Sequence, residues 1–481
     1  MVKKEFELAI IGGGVVGASL FNLATLNGVK AVMLEAEDDV SMGASKANSG
    51  IIHSGYDPEP NTLMAKLNVR GNELFRPLCK RLGISLGECG TITVADKKGL
   101  KKLEMLLERG KINGVNNLAI LNRQELLKLE PNLADRIEYG LYAPTGAIVS
   151  PYMFCIALAE EGVVNGGVVK CNFKVCNIEK QNNQFVLSNG LQQIKAKFVV
   201  NCAGANCNEI NALLNEKQEP LNFVKGEYML LDQSQVGFVR RPVFPLPSEV
   251  GKGIIAVPTT HGNIMFGPSA VACDKDDTSV TPQSLQYIKE QITLSVKNPN
   301  FKKVIKLFAG IRVKAGNDFI IEKGKTKNYY YTAGICSPGL SAAPAIAEYL
   351  FEFLKQDDIK TKTIKPVARK PYINTKTLNQ AELNKLIKKN PDYGLIMCKC
   401  EKITKGEIID AISSPLKPTS VDAIKRRVRP TMGRCQGSFC LPKIVHEIAK
   451  YHKQKLENVT LCGNNSTILV NDIKKGGRYN V

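Results

Sequence analysis

One stretch near the start of the chain, FELAIIGGGVVGASLFNLATLNGVKAVMLEAE, constrains the fold more than any other. Four apolar residues, Leu8–Ile11, run into a glycine turn. An apolar-rich segment follows, and a second apolar run, Ala31–Leu34, closes on an acid, Glu35. The order predicts strand, turn, helix, strand. Gly12, Gly14 and Gly17 give the spacing G-x-G-x-x-G. In such a unit the first glycine allows the tight turn, the second lets the backbone approach a pyrophosphate, and the third lets the helix pack on the strand. The helix start turns free N–H groups and its positive dipole end toward the phosphates, and Glu35 is placed to hold ribose hydroxyls. The spacing alone is a weak signal; in this context it is strong, and it leaves NAD and FAD both open.

The same stretch has no charge between Glu7 and Lys30, as a signal peptide or anchor would. However, Glu5 and Glu7 interrupt the basic start that a signal needs, and glycines and asparagines interrupt the apolar run. The 14 cysteines are not spaced like a disulfide scaffold, and several sit in apolar runs such as FCIALA and VVNCAGANC. Most are expected to be buried free thiols in a reducing compartment, which places the chain in the cytoplasm. A length of 481 residues suggests about three domains. The net charge of +20 would suit nucleic acid, an anionic membrane surface, anionic substrates or an acidic partner. The lysines are spread without a block and no nucleic-acid motif occurs, so nucleic acid is not expected. A small anionic substrate is, and a peripheral membrane contact stays open.

Beyond Glu35, a small-residue run, Gly43–Gly50, leads into IIHSGYD. Further along stand VVNCAGANC, VGKGIIAVPTTHGNIMFGP, FAGIRV and YYYTAGICSPGLSAAPAIAEYL. KFVVNCAGA reads as a buried strand ending in Ala203–Gly204, where only small residues let a dinucleotide approach. The last motif reads as strand, Gly/Pro turn and long helix, whose start near Leu340–Ser341 can point N–H groups at an anion. Over residues 5–360 these motifs resemble the D-amino-acid-oxidase-like flavoproteins. Within that family they are most similar to FAD-dependent glycerol-3-phosphate oxidases and dehydrogenases, with the oxidisers of L-2-hydroxyglutarate next.

The resemblance implies FAD rather than NAD, and an α/β Rossmann-like FAD-binding domain with an inserted antiparallel-sheet substrate domain. It implies cofactor contacts at Gly12, Gly14, Gly17, Glu35, Ser45, Asn48, Ser49, Gly50, Val175, Ala203, Gly204, Gly310, Gly339, Leu340 and Ser341. Short alternating runs between Leu221 and Leu307 read as strands of the substrate sheet. The expected division is 1–85, 141–220 and 308–365 for the FAD-binding domain, and 86–140 and 221–307 for the cap. A linker over 366–394, a cluster-binding domain over 395–455 and a tail over 456–481 complete it.

Of the four histidines, His53, His261, His446 and His452, only His53 has a telling frame. The resemblance places it beside the isoalloxazine, and taking a proton from a secondary alcohol while hydride leaves the same carbon needs a base of near-neutral pKa. His261 reads as a hairpin-turn residue. Arg312, in FAGIRV, is implied to face the substrate, where its fork suits a carboxylate or phosphate. Lys252 matches a lysine of the glycerol-phosphate group and is a third expected substrate contact.

After about Pro366 the chain turns polar and basic, then presents Cys398-x-Cys400 and, after 34 intervening residues, Cys435-x4-Cys440. A bridge between Cys398 and Cys400 would be badly strained. Short helices are expected between the pairs, capped at Thr404 and at Thr419 or Ser420, and another after Cys440. Two tight pairs mark a metal or cluster site. Zinc is an alternative, although its pairs prefer C-x2–4-C twice. The spacing and GRCQGSFC resemble the bacterioferritin-associated-ferredoxin-like [2Fe-2S] domain, fused to several flavin dehydrogenases. A flavin takes two electrons and a cluster passes them singly, so a protein electron acceptor is expected. The leading expectation is oxidation of sn-glycerol 3-phosphate to dihydroxyacetone phosphate. The rival in the same class is L-2-hydroxyglutarate oxidation; the rival of another class is a non-catalytic redox or iron-handling partner-binding protein.

Overall fold

Parallel strands place the site. The computed structural model describes residues 5–247 and 253–470. Five parallel strands stand in the order Val168–Lys170, Ala31–Leu34, Glu5–Ile11, Gln193–Asn201 and Tyr329–Ala333. Their register aligns Ile11 with Leu34 and with Asn201, and Asn201 with Tyr331. The carboxyl ends therefore converge on one edge, where Gly12, Glu35 and Ala203 follow in the chain, and where open α/β sheets bind ligands. The expected strand at Leu8–Ile11 begins earlier, because pairing of Glu5 with Lys195 extends the ladder. The strand expected to end at Ala203–Gly204 ends at Asn201, whose side-chain oxygen accepts the Ala203 N–H and turns the chain.

The helices Val15–Leu26, Leu63–Leu82, Pro151–Val164 and Gly339–Gln356 cover one sheet face. The tyrosine run shows the period of two that a strand imposes. Tyr330 packs into the helical core, while Tyr329 and Tyr331 point into the core on the other face.

A nine-stranded sheet forms the second lobe. Its spine is Leu221–Leu231 paired antiparallel along its length with Val304–Ala315. The sheet is antiparallel as expected except at one junction, where Val243–Pro245 runs parallel to Thr91–Ala95. Those strands belong to two separate excursions of the chain, so no hairpin dictates their direction. The strand Val304–Ala315 runs through residue 308, so Gly310 and Arg312 reach the cavity from the second lobe's sheet.

The C-terminal part has its own core, built from Ile403, Ile408, Ile412, Ile424, Ile444 and Ile448 among others. Helix Lys405–Ile412 starts on a capping box between Thr404 and Glu407, helix Val421–Val428 is capped by Ser420, and helix Leu441–His452 follows Cys440. The stretch before it does not hang loose: Arg369 is buried and reaches Glu160 at 2.8 Å. Of the 14 cysteines only six are buried. Among the described residues no helix is long and apolar enough to cross a membrane.

Candidate active site and cysteine centre

The edge where the parallel strands end opens into a cavity of about 1440 Å³ between the lobes. At one end stand Gly12, Gly14, Glu35, Val175, Ala203 and Gly204; along it run Ser45, Asn48, Ser49, Gly339 and Leu340; Gly310, His53 and Arg312 also line it. Gly17, Gly50 and Ser341 stand behind this wall and shape it. A Cβ on Gly17 would fall 2.0 Å from the Gly12 carbonyl oxygen, so the helix meets the turn only without one. Gly12 itself holds φ +105, open to glycine alone at little cost. Lys252 lies outside the described residues.

Glu35 accepts the N–H of Gly13 at 2.7 Å and of Glu37 at 2.9 Å. Burial nevertheless pushes its carboxyl above the ordinary value. Each oxygen of this buried carboxylate has a further lone pair, which fits ribose hydroxyls. Helix Val15–Leu26 has no acid in its first turn, and neither has helix Gly339–Gln356. Both starts border the cavity through Gly14, Val15, Gly339 and Leu340, which fits an elongated, anionic dinucleotide. A Cβ on Gly310 would lie 2.0 Å from the Ala47 carbonyl oxygen, so the small-residue run and the second lobe meet there backbone to backbone.

At the far end, the His53 ring sits 3.3 Å through Nε2 from Ser337 Oγ and 5.8 Å from the Phe244 ring. Its backbone is held on two sides: the N–H donates to Ser341 Oγ at 2.7 Å, and the carbonyl accepts from Asn72 at 3.0 Å. Arg312 stands opposite Val224 in the sheet and donates through Nη2 to the Ser269 carbonyl. Its Nε is buried without a hydrogen-bond partner, a donor left over for an anion. Tyr228 lines the same wall, and burial pushes its hydroxyl up to about 12. Ser337, Phe244, Tyr228 and Ser269 escape a reading of the sequence, because only the closed fold brings them to His53 and Arg312. His261 is elsewhere, in the turn Thr259–Gly262. Burial first, then the charges of Arg429 and Lys376, hold its ring well below the ordinary value and so keep it neutral.

The four C-terminal cysteines come together two and two. The Cys398 thiol is hydrogen-bonded with Cys440, and Cys400 with Cys435. The bond with Cys440 draws the Cys398 thiol down to about 6 and pushes Cys440 up. Backbone N–H groups of Glu401 and Thr431 point at the Cys398 sulfur, and those of Gly437 and Phe439 at Cys435. The loop that supplies them is bent sharply: Arg429, Thr431, Gln436 and Gly437 all have positive φ, at 69°, 67°, 48° and 97°. A β-branched residue in that region is costly, and such outliers gather at functional sites. Among the described residues no three His, Cys, Asp or Glu side chains converge as a single-ion site would need. Two thiol pairs, with N–H groups turned to Cys398 and Cys435, fit an anionic sulfur cluster.

Comparison with known proteins agrees with both centres. Residues 7–353 match the family model described as FAD dependent oxidoreductase, and residues 396–450 match the BFD-like [2Fe-2S] binding domain. A glycerol 3-phosphate dehydrogenase of Caloramator mitchellensis is 40% identical over 453 residues, which is 92% of this chain and 94% of that protein. The L-2-hydroxyglutarate dehydrogenase of Homo sapiens is 30% identical over 289 residues, 56% of this chain and 62% of that one. Among solved structures, the dithionite-reduced L-α-glycerophosphate oxidase of Mycoplasma pneumoniae with FAD bound superposes with a TM-score of 0.71 at 29% identity, covering 76% of this chain and 98% of that one.

Proposed function

The chain belongs to the FAD dependent oxidoreductase family, with a BFD-like [2Fe-2S] binding domain behind it, and from that premise we propose that it oxidises sn-glycerol 3-phosphate to dihydroxyacetone phosphate and releases the electrons through the cluster. The observation that carries this reading is one continuous cavity, with Glu35 and the glycine turn at one end and His53 with the unpaired Arg312 Nε further along it. When bound, FAD supplies the hydride acceptor and the cluster a one-electron outlet. The residues of the chain do the rest. Arg312, fixed by the Ser269 carbonyl, clamps the substrate's anionic group. His53, held at its backbone by Ser341 and Asn72, takes the hydroxyl proton at its imidazole nitrogen. Ser337 orients that ring. Lys252 is a further candidate for the phosphate. Cys398, Cys400, Cys435 and Cys440 hold the cluster.

A chain of neighbouring residues from the small-residue run toward the cysteine centre supports such an outlet. A Cβ on Gly50 would touch the Val149 oxygen and Pro151. Tyr152, the next residue, places its hydroxyl 3.7 Å from Met432 Sδ and 3.3 Å from Arg429. Met432 adjoins Gly433, which packs on Cys400. The relative named for glycerol 3-phosphate matches across both domains, whereas the one named for L-2-hydroxyglutarate matches 56% of the chain.

An anaerobic visible spectrum separates the two substrates. Glycerol 3-phosphate is expected to bleach the flavin and yield dihydroxyacetone phosphate. Bleaching by L-2-hydroxyglutarate alone would overturn the substrate, and bleaching by neither would favour a non-catalytic role. Cys435→Ser is expected to spare bleaching and to slow delivery of electrons to a protein acceptor. Equal loss of both would make the cysteine domain purely structural.

A further inference from the structure

The surface around the cysteine centre is unlike an ordinary solvated face. Phe439, between Cys435 and Cys440, is 73% exposed, and Ile396, two residues before Cys398, is 54% exposed. Both are chain neighbours of the paired thiols, Phe439 next to Cys440 and Ile396 at one remove from Cys398. Cys400 and Cys435 are only half-buried, so the centre itself reaches toward that surface. Charge is one-sided there. Lys399, Lys402, Arg434 and Lys443 are exposed, and Arg434 has only a 3.7 Å contact with Asp232. Across 395–405 and 430–446 the sole carboxylate is Glu401, which is buried and engaged by Arg429 at 3.2 Å and Lys376 at 3.5 Å.

We propose that this face is the docking surface for a small acidic one-electron carrier protein. The inference rests on the reading of the four cysteines as a cluster site. An apolar centre with a charged rim is the anatomy of a protein interface, and redox encounters use small ones. The basic rim selects an acidic partner and speeds its approach. A membrane surface suits these residues less well, since the two apolar side chains come from a short strand, Ile396–Cys398, and a separate turn, and form no amphipathic helix. The balance is simple: each secondary alcohol oxidised to a ketone gives up two electrons and two protons. Two carrier molecules are each reduced by one electron, and the protons pass to water.

The test uses the full-length holoprotein, with iron and acid-labile sulfide measured first. An acidic [2Fe-2S] ferredoxin and an acidic flavodoxin are titrated by calorimetry at low and high salt, with a basic c-type cytochrome as the opposite-charge control. At least one acidic carrier is expected to bind, and more weakly as salt rises. Ile396→Ser, and separately Arg434→Glu with Lys443→Glu, are expected to weaken binding at least about tenfold while the visible spectrum and the bleaching by substrate are unchanged. Binding of neither carrier to cluster-replete protein, equal binding by the variants, or preference for the cytochrome overturns the proposal. So does an Ile396-dependent dimer in sedimentation, or Ile396-dependent binding to phosphatidylglycerol vesicles without carrier binding. Protein that holds no iron and sulfide overturns the cluster reading itself, and the two failures are thereby told apart.

Discussion

His53 and Arg312 lie 259 positions apart in sequence and line one cavity, so each can be removed without touching the other's support. A general base contributes about 10²–10⁴-fold. His53→Ala is therefore expected to slow flavin bleaching in stopped flow by that order with FAD retained. Arg312→Lys keeps the charge and loses the fork. A hydrogen bond to a charged group contributes about 1.5–3 kcal/mol, so KM is expected to rise about tenfold or more with a smaller change in kcat. Ser337→Ala removes one neutral contact to the ring and is expected to cost about tenfold at most. Wild-type kinetics in the first two variants would remove both residues from the reaction. His53 and Arg312 were legible because short local frames, SGIIHSGYD and FAGIRV, mark them. Ser337 was not, because its meeting with His53 spans 284 residues and leaves no local pattern.

At the scale of elements, the first strand–turn–helix unit was legible apart from the strand's early start at Glu5, since its determinants are neighbours in sequence: glycine spacing, apolar period and a closing acid. The order of the second sheet was not, because strand pairing there joins two excursions whose register depends on packing rather than on turns. The glycine turn also permits a sharp contrast. A Cβ at position 14 would meet only Ser45 Oγ, at 3.1 Å, whereas at position 17 it would meet backbone at 2.0 Å. Gly14→Val is thus expected to leave the apo fold intact and abolish FAD binding by closing the pyrophosphate approach. Gly17→Ala should destabilise the apoprotein itself, by about 1–3 kcal/mol, through overpacking. Thermal melts of the apoproteins and flavin titration distinguish the two. A Gly14→Val protein that binds FAD normally would move the pyrophosphate elsewhere.

At the scale of the whole molecule, a buried ionic network joins the cysteine domain to the dinucleotide lobe. Arg427 and Arg426 both reach Asp39 at 2.8 Å, and Arg427 also approaches Glu160, which binds Arg369 and Tyr372. Asp39 precedes Ser41 by two residues, and the Ser41 N–H bonds to the Gly13 carbonyl, so the network ends on the glycine turn. Burial alone would raise the Asp39 carboxyl; the Arg427 and Arg426 guanidiniums outweigh it and hold the group below its ordinary value. A carboxyl depressed in the folded state gives stability that is complete above the unfolded value and fades as pH falls through the folded one. The junction should accordingly persist through pH 5 and weaken only below the ordinary aspartate range. Asp39→Asn leaves two buried guanidiniums short of a counter-charge, and breaking a buried pair from one side costs about 3–5 kcal/mol. The variant is expected to expose the connecting segment 357–394 to protease at neutral pH, where the wild type resists. Because the network ends on the turn, the variant should also hold FAD less tightly. Equal protease resistance of variant and wild type at neutral pH would mean that apolar packing, not this network, seats the cysteine domain on the dinucleotide lobe.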